Sequence, residues 1–553
     1  MPKEVKQDKF YAGIPMAREN RGSMEEWLGE EPEFSENEIN EILDTDVVVC
    51  GAGIAGVSAA RAAAEAGAKV VVIEKSKSPN ARSGQFAVIG GETLKKNWGL
   101  DNTADKADMI NDLMSAAAYR ADQRLLKYYA DHIGEDFDWY MNAMKEPLLV
   151  QKQSRDPMPK DAKFITLMQN PVQPLYDRKS ERFPCYPCTV QIRPGHIFVL
   201  RENMDRAIET GNVTTLYQTA AKKLLKDANG RVCGVIAKGY DGTVTQVNAK
   251  KGVVLATGDY VGDRRMMAYY CPWAMDSLVM PTGLDADKKP LSTGDGHKMG
   301  LWAGAKMEEE PHGTMTHNMG ASMGVAPFLL LDVDGNRFMN EDCPGDMVEN
   351  RIHRMKNQTA WQIFDGNWKE QIPHMPFGHS SPSQVLDMEK VQKGEEFFDL
   401  TPMDGFASEW FIGAMLEGGR TFTAPTLEGL FEEIEIPKEA ALASVARYNE
   451  LAEKGVDEDY GKRSDRLFSL SQPPFFAAKI LPAFMLGTVS GLETDVNARV
   501  LNKDLQVIPG LYAAGNTQGN RFGCEYPTTL PGLSHAMALT FGRCAGRTAA
   551  TDI

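Results

Sequence analysis

Several protein classes are excluded by what this chain lacks. Cysteine is scarce, eight in 553 residues, too few for a disulfide scaffold. No window holds eighteen uninterrupted apolar residues, so no membrane-spanning helix is expected. Positive charge is in deficit, 60 Lys and Arg against 76 Asp and Glu. The resulting net charge of −16 argues against nucleic acid or an anionic membrane as a main partner. The opening residues Met1-Pro2-Lys3-Glu4-Val5-Lys6-Gln7 carry neither an apolar h-region nor a twin arginine, which reads as cytoplasmic. What is present is ordinary for a soluble globular protein: 42% hydrophobic and 25% charged residues, and length for two to four domains. The 28 methionines fit an adaptable apolar interior.

One stretch organises the rest. Asp46-Val47-Val48-Val49-Cys50 is a run of strand formers that enters Gly51-Ala52-Gly53-Ile54-Ala55-Gly56 and then an alanine-rich helix. A second apolar run, Lys69 to Ile73, stops at Glu74 and Lys75. This is G-x-G-x-x-G in its full strand–turn–helix–strand setting. Gly51 permits the tight turn, Gly53 lets the backbone approach a pyrophosphate, and Gly56 lets helix and strand pack closely. Ala55 sits in the same helix start, whose free N–H groups and dipole favour phosphate. Glu74 is placed for a carboxylate to accept both ribose hydroxyls, which points to a dinucleotide, FAD or NAD. The following segment, Ser83-Gly84-Gln85-Phe86-Ala87-Val88-Ile89-Gly90-Gly91, mixes small residues and glycines as a loop does beside something flat or another backbone.

Elsewhere the organisation is plainer. Residues 1–39 are polar and acidic, an extension in which Trp27 and Phe34 are candidates to dock on the body or a second subunit. Residues 104–145 read as helices with Trp139 in the core. Residues 213–257, including Ala220, alternate as strands with turns at Asn229-Gly230 and Asp241-Gly242, and end in Val254-Leu255-Ala256-Thr257-Gly258. Cys185-Tyr186-Pro187-Cys188 is a C-x-x-C pair, but no second ligand pair has motif spacing, so no metal is expected.

Taken together these pieces resemble the fumarate reductase/succinate dehydrogenase flavoprotein family, which includes the ketosteroid dehydrogenases. The resemblance rests on the fingerprint with Glu74-Lys75, on Val254 to Gly258, and on Ser292-Thr293-Gly294-Asp295-Gly296-His297. It continues through Asp334-Gly335-Asn336-Arg337-Phe338-Met339-Asn340-Glu341, Ala446-Arg447-Tyr448-Asn449 and Pro509-Gly510-Leu511-Tyr512-Ala513-Ala514-Gly515-Asn516. It implies FAD, and an α/β fold: a Rossmann-like, glutathione-reductase-type FAD-binding domain with an inserted α+β capping domain. The FAD domain is expected at 40–312 and 487–553, the cap at 313–486, and the substrate between cap and flavin. Gly515, Asn516, Gly532, Leu533 and Ser534 are expected beside the isoalloxazine, the last three at a helix N-terminus that stabilises a reduced flavin. His535 there is read either as a charge partner of the reduced ring or as a helix cap. The family's attachment histidine has no counterpart in Ser83 to Ala87, so the FAD is expected to be non-covalent. NAD(P)H or another external electron donor or acceptor stays open, as does oligomeric state.

The chain departs from fumarate reducers in ways that bear on substrate. A clamp histidine before the late T-x-G-G motif is missing from Phe484-Met485-Leu486-Gly487-Thr488-Val489-Ser490-Gly491. The arginine motif near Arg521 is broken, and Glu525-Tyr526-Pro527 instead resembles ketosteroid dehydrogenases, where such a tyrosine assists at a substrate carbonyl. Tyr526 is the leading catalytic candidate, with Arg351 and His317 behind it. The expected activity is hydride transfer between FAD and a carbon of an unsaturated ketone, phenolic or polycyclic, steroid- or flavonoid-like, substrate, with a side-chain proton donor. Two enzymatic alternatives are a fumarate- or enoate-type reductase and an amine or amino-acid oxidase; a third is a non-enzymatic FAD electron carrier.

Overall fold

The computed structural model describes residues 21–168, 177–275, 277–285, 288–317, 322–376, 378–397, 405–480, 484–528 and 530–551. The apolar run of the fingerprint lies at the centre of an eight-stranded sheet. Strand Glu41–Cys50 is flanked in parallel by Val70–Ile73 on one side and Val244–Leu255 on the other, and Val507–Ala513 extends the sheet beyond. Residues of these strands are buried on both faces, which explains a continuous rather than alternating apolar run. Val47, Val49, Val70 and Val72 pack toward the fingerprint helix Ile54–Glu65, the helix Gln123–Met141 and the last helix Leu533–Thr551. Val48, Cys50, Val71 and Ile73 face the opposite core.

Register fixes where the site must be. Cys50 lies opposite Ile73 and Leu255, and Leu255 opposite Ala513, so four strands end level with one another. The loops that follow them, at Gly51, Glu74, Ala256 and Ala514, therefore share one edge, the carboxyl edge where open α/β sheets bind ligands. The last helix closes on the fingerprint helix through Gly542 and Gly546, where an added Cβ would lie 2.4 and 2.2 Å from the carbonyl oxygens of Ala55 and Ala59. The antiparallel strands Thr219–Lys226, Val232–Gly239 and Val244–Leu255 turn at Gly230 and Gly242, both with positive φ. In the N-terminal extension the short helix Met24–Leu28 docks through Trp27, which packs against Tyr269 and Tyr270, while Phe34 stays half-buried.

A second body has its own four-stranded antiparallel sheet of Leu329–Asp332, Ala360–Phe364, Phe475–Ile480 and Thr421–Ala424. Apolar clusters drawn from residues 323–480 cover both its faces. The D-G-N-R-x-x-x-E motif serves this body: Arg337 binds Glu341 at 2.9 Å and Asp457 at 2.7 Å in a buried network. Between the bodies a three-stranded sheet pairs Thr314–His317 and Leu278–Val279 with Phe484–Thr488. The boundaries expected at 312/313 and 486/487 fall at and within these strands, and we propose this sheet as the junction of cap and FAD domain. No helix among the described residues is long and apolar enough to cross a membrane.

Candidate active site

A cleft of about 1530 Å³, open to solvent, runs along the carboxyl edge of the large sheet and reaches the second body. Its floor is the fingerprint. Gly51 has φ of +108°, and a Cβ there would lie 2.2 Å from the Ala256 oxygen; a Cβ on Gly56 would lie 1.9 Å from the Gly51 oxygen. Gly53 and Gly258, in contrast, present bare backbone, with an added Cβ meeting only the Asn80 oxygen at 3.8 Å and nothing, respectively. Glu74 accepts from the backbone N–H groups of Ala52 and Ser76, both at 2.7 Å, which aims its carboxylate at the turn. Lys75 is held by Asp295 at 2.7 Å and Thr293 at 2.8 Å. Burial raises the Asp295 carboxyl, but the charges and hydrogen bonds of Lys75 and its neighbours outweigh it and hold it below its usual range.

The cofactor candidates divide into two groups. Gly51, Gly53, Ala55, Glu74, Lys75, Ser83, Thr257, Gly258, Asp295, Gly515, Asn516, Gly532 and Ser534 all line the cleft. Gly56, Gly84, Gly90, Gly91, Ala220 and Leu533 are not in its lining. Gly56 serves the turn from behind. Gly84 lies against the Ile192 backbone and Gly91 against Gly134 of a neighbouring helix, while the Gly90 carbonyl accepts from Asn102 at 2.8 Å. Ala220 is out of phase: Thr219 and Ala221 line the cleft, and the residue between them points to the other face of its strand. Leu533 is fully buried in the core.

FAD fits this cleft. Its length spans the glycine turn, a carboxylate at the second strand end, and the N-terminus of the last helix. Arg82 adds a second sign. It lines the cleft, its Nη2 donates to Thr282 at 3.0 Å, and its buried Nε has no partner among the described residues. Arg82 and Asp259 face each other electrostatically, and burial raises the Asp259 carboxyl. Neither had a motif to mark it.

Beyond the last helix N-terminus the cleft is walled by Met315, Leu486, Gly487, His379, Pro531 and Tyr526. Tyr526 is buried, and its hydroxyl oxygen accepts the Ser534 N–H at 3.1 Å, leaving the hydroxyl proton for another acceptor. Burial pushes this phenol up to about 12, although the helix N–H groups and Arg521 pull the other way. The other candidates lie elsewhere. Arg351 is exposed on the helix Gly345–Ile352 and lies outside the lining, because it belongs to the solvated face of that helix. His317 ends the strand Thr314–His317, and its side chain lies outside the described residues. Arg521 is buried, donating to Gln518 O and the Asn516 amide oxygen, both at 2.9 Å, and so braces the loop behind the cleft. His535 lines the cleft, with Nδ1 donating to Gln85 O at 2.9 Å. Burial lowers it to about 4, and the backbone oxygen of Gln85 pulls the other way.

Both cysteines of the C-x-x-C pair are buried. Cys188 donates to Asn102 O at 3.3 Å, and burial raises both thiols. None of the cysteines forms a disulfide, and no group placed to hold a metal occurs among the described residues.

The helix Gly345–Ile352 meets the Tyr526 loop through Asp346 and the strand Thr314–His317 through Glu349. Thr528 donates to Asp346 at 2.5 Å, and Thr316 donates to Glu349. Burial pushes Glu349 up to about 8, with Asp346 adding to the shift, and Glu525 beside it is likewise raised to about 8. The folded state thus binds protons that the unfolded chain has released above pH 4.5. The cost from Glu349 is absent below that pH and grows as pH rises to about 8. Glu349→Gln keeps an acceptor for Thr316 and removes the ionisation. It is expected to stabilise the protein by about 2–4 kcal/mol relative to wild type at pH 8 and by almost nothing at pH 4.5. Urea melts at both pH values check this; an equal effect at both would show that Glu349 does not titrate.

Known proteins resemble this chain over most of its length. The family model described as FAD binding domain matches residues 46–528. The vinyl phenol reductase of Lactiplantibacillus plantarum is 26% identical, covering 91% of this chain and 96% of that protein. A fumarate reductase (cytochrome) of Shewanella frigidimarina is 27% identical, covering 95% and 78%. Among solved structures, the 3-ketosteroid-Δ4-(5α)-dehydrogenase of Rhodococcus jostii RHA1, in complex with 4-androstene-3,17-dione, superposes with a TM-score of 0.68 at 24% identity, covering 95% of this chain and 100% of that one.

Proposed function

The chain belongs to the FAD binding domain family and is an FAD-dependent oxidoreductase acting on C=C bonds; from that premise we propose that it reduces a conjugated double bond in an uncharged, ring-bearing substrate, an enone or a vinyl arene. One observation carries the choice of substrate. Among the described residues lining the cleft the only lysine and arginine are Lys75, bound to Asp295, and Arg82, facing Asp259. The wall around Tyr526 is Met315, Leu486, Gly487, Pro531 and one histidine, His379. A small dicarboxylate needs cations to replace its lost hydration, whereas an apolar ring gains from these contacts.

The turn at Gly51–Gly53 and the Glu74 carboxylate would hold the dinucleotide, and Gly515, Gly532 and Ser534 would meet its ring end, without a covalent bond. Bound there, FAD supplies the hydride. The remaining work belongs to the chain. Tyr526 holds a proton that its raised pKa keeps in place at neutral pH. The Ser534 N–H at the start of the last helix fixes its oxygen and stabilises the phenolate left when the proton goes to the substrate. Met315 and Leu486 exclude water from the developing charge.

The test is a steady-state panel with reduced viologen as donor. Vinyl arenes and cyclic enones are expected to give kcat/KM at least tenfold above fumarate. Fumarate turnover equal to the best ring-bearing alkene would overturn the proposal and return the site to the carboxylate reductases.

A further inference from the structure

Arg521 is 1% exposed, behind the ring end of the cleft, and bracing a loop does not require a charge there. Burying a guanidinium is costly unless its partners replace the lost hydration. Its Nε donates to Gln518 O at 2.9 Å, and its Nη2 to the Asn516 amide oxygen at 2.9 Å and to Val489 O at 3.4 Å. Its Nη1 has no partner among the described residues. Glu308 is the acid that faces it, and that carboxylate already accepts the Asn520 N–H. Of the groups that Arg521 bonds, only Asn516 lines the cleft.

That bond decides which way the amide points. A guanidinium carries donors only, so the atom of Asn516 that faces it must be the oxygen. Ser534 Oγ donates to the same oxygen at 3.1 Å, which occupies both of its lone pairs. The backbone is anchored as well: Gly515 before it holds φ of +68°, and the Asn516 carbonyl oxygen lies 3.2 Å from His297 Nε2. The amide nitrogen sits opposite the oxygen in the same plane. It has no partner among the described residues and is not buried, so its two N–H donors face the cleft. A flipped amide would set nitrogen against the guanidinium and present an acceptor instead.

We propose that Arg521 is a positioning residue for the flavin: by fixing the Asn516 amide it presents an N–H donor to the ring of bound FAD and raises the reduction potential. Reduction puts negative charge on the pyrimidine side of the ring, and a hydrogen bond to a charged acceptor is roughly twice as strong as one to a neutral acceptor. A donor held in place before that charge arrives therefore favours the reduced form. The inference rests on the functional reading above in placing the flavin ring beside Gly515, Gly532 and Ser534, and it is independent of which alkene is reduced.

The test is the midpoint potential of the holoenzyme, read by equilibration with a reference dye, in a double-mutant cycle of Arg521→Met and Asn516→Leu. Asn516→Leu is expected to weaken binding of reduced relative to oxidised FAD about tenfold, a fall of about 30 mV for a two-electron couple. Arg521→Met is expected to lower the potential by a similar amount, and most of that shift is expected to vanish in the Asn516→Leu background. The same Arg521 shift in both backgrounds would overturn the proposal, because the charge would then act on the ring directly. Lower melting temperatures with unchanged potentials would also overturn it and leave Arg521 as a brace of its loop. If Arg521→Met does not fold, Asn516→Asp decides. Aspartate keeps both accepted bonds and offers no N–H, so the potential is expected to fall again, and a wild-type value would overturn the donor. Turnover of fumarate in preference to ring-bearing alkenes would remove the proposed substrate and leave these shifts standing.

Discussion

Tyr526→Phe is expected to slow reduction of the substrate by ~10²–10⁴-fold, the usual contribution of one positioned proton donor. The phenylalanine ring keeps the edge-to-face contact with Phe522, whose centroid is 5.3 Å away. What disappears is the hydroxyl, and with it both the proton and the acceptor of the Ser534 N–H. FAD retention is expected to be unchanged, because the glycine turn and Glu74 lie at the other end of the cleft. Loss of the acceptor leaves one buried N–H unsatisfied, a cost of about 1–3 kcal/mol in stability. A melting curve therefore shifts modestly while the rate falls by orders of magnitude. A bracing tyrosine would give the reverse pattern, with a lower melting temperature and substrate reduction within a few-fold of wild type.

The second large effect is expected at the fingerprint. Gly51→Ala asks a residue with a Cβ to adopt φ of +108° and to overlap a backbone oxygen 2.2 Å away. Strain of this kind alone costs about 1–2 kcal/mol. Overlap with backbone adds to it, since neither Ala256 nor the strand behind it can move without breaking the register Cys50–Leu255. The turn must open, and FAD affinity is expected to fall at least 100-fold. Gly67→Ala is the control: its φ is +88°, but nothing lies within 4 Å of the added Cβ. It is expected to lose about 1–2 kcal/mol of stability and to keep its FAD. Equal FAD loss in the two variants would mean that general destabilisation, and not the shape of the turn, controls binding.

The parts of the site that depend on short-range geometry were legible in the sequence. The strand ends at Cys50 and Leu255, the glycine turn, and Glu74 follow from patterns that are complete within about thirty residues. Other residues required tertiary information. Ala220 differs from its neighbours Thr219 and Ala221 only by the phase of a strand, and no composition reveals which face meets the cleft. Gly90 and Gly91 have the composition of a ligand loop, but an added Cβ on Gly91 would lie 3.0 Å from the Gly134 oxygen of a neighbouring helix. Arg351 stood at a plausible distance from a motif, yet helical spacing turns it outward while Val348 and Ile352 of the same helix face the core. The wall of Met315, His379 and Leu486 is assembled from segments far apart in the chain, each apolar or solitary, with no local signal of a shared role. Arg521 shows the converse: a charged residue in a suggestive motif whose surroundings make it a buried brace.

The most direct measurement of the central claim is a single turnover in the absence of oxygen. The holoenzyme is reduced to the colourless state, mixed rapidly with a vinyl arene, a cyclic enone or fumarate, and followed at the flavin absorbance band. The account predicts return of absorbance with the ring-bearing alkenes, one alkene saturated per flavin, and slow or no return with fumarate. Rapid return with fumarate alone, while every ring-bearing alkene leaves the flavin bleached, would contradict it.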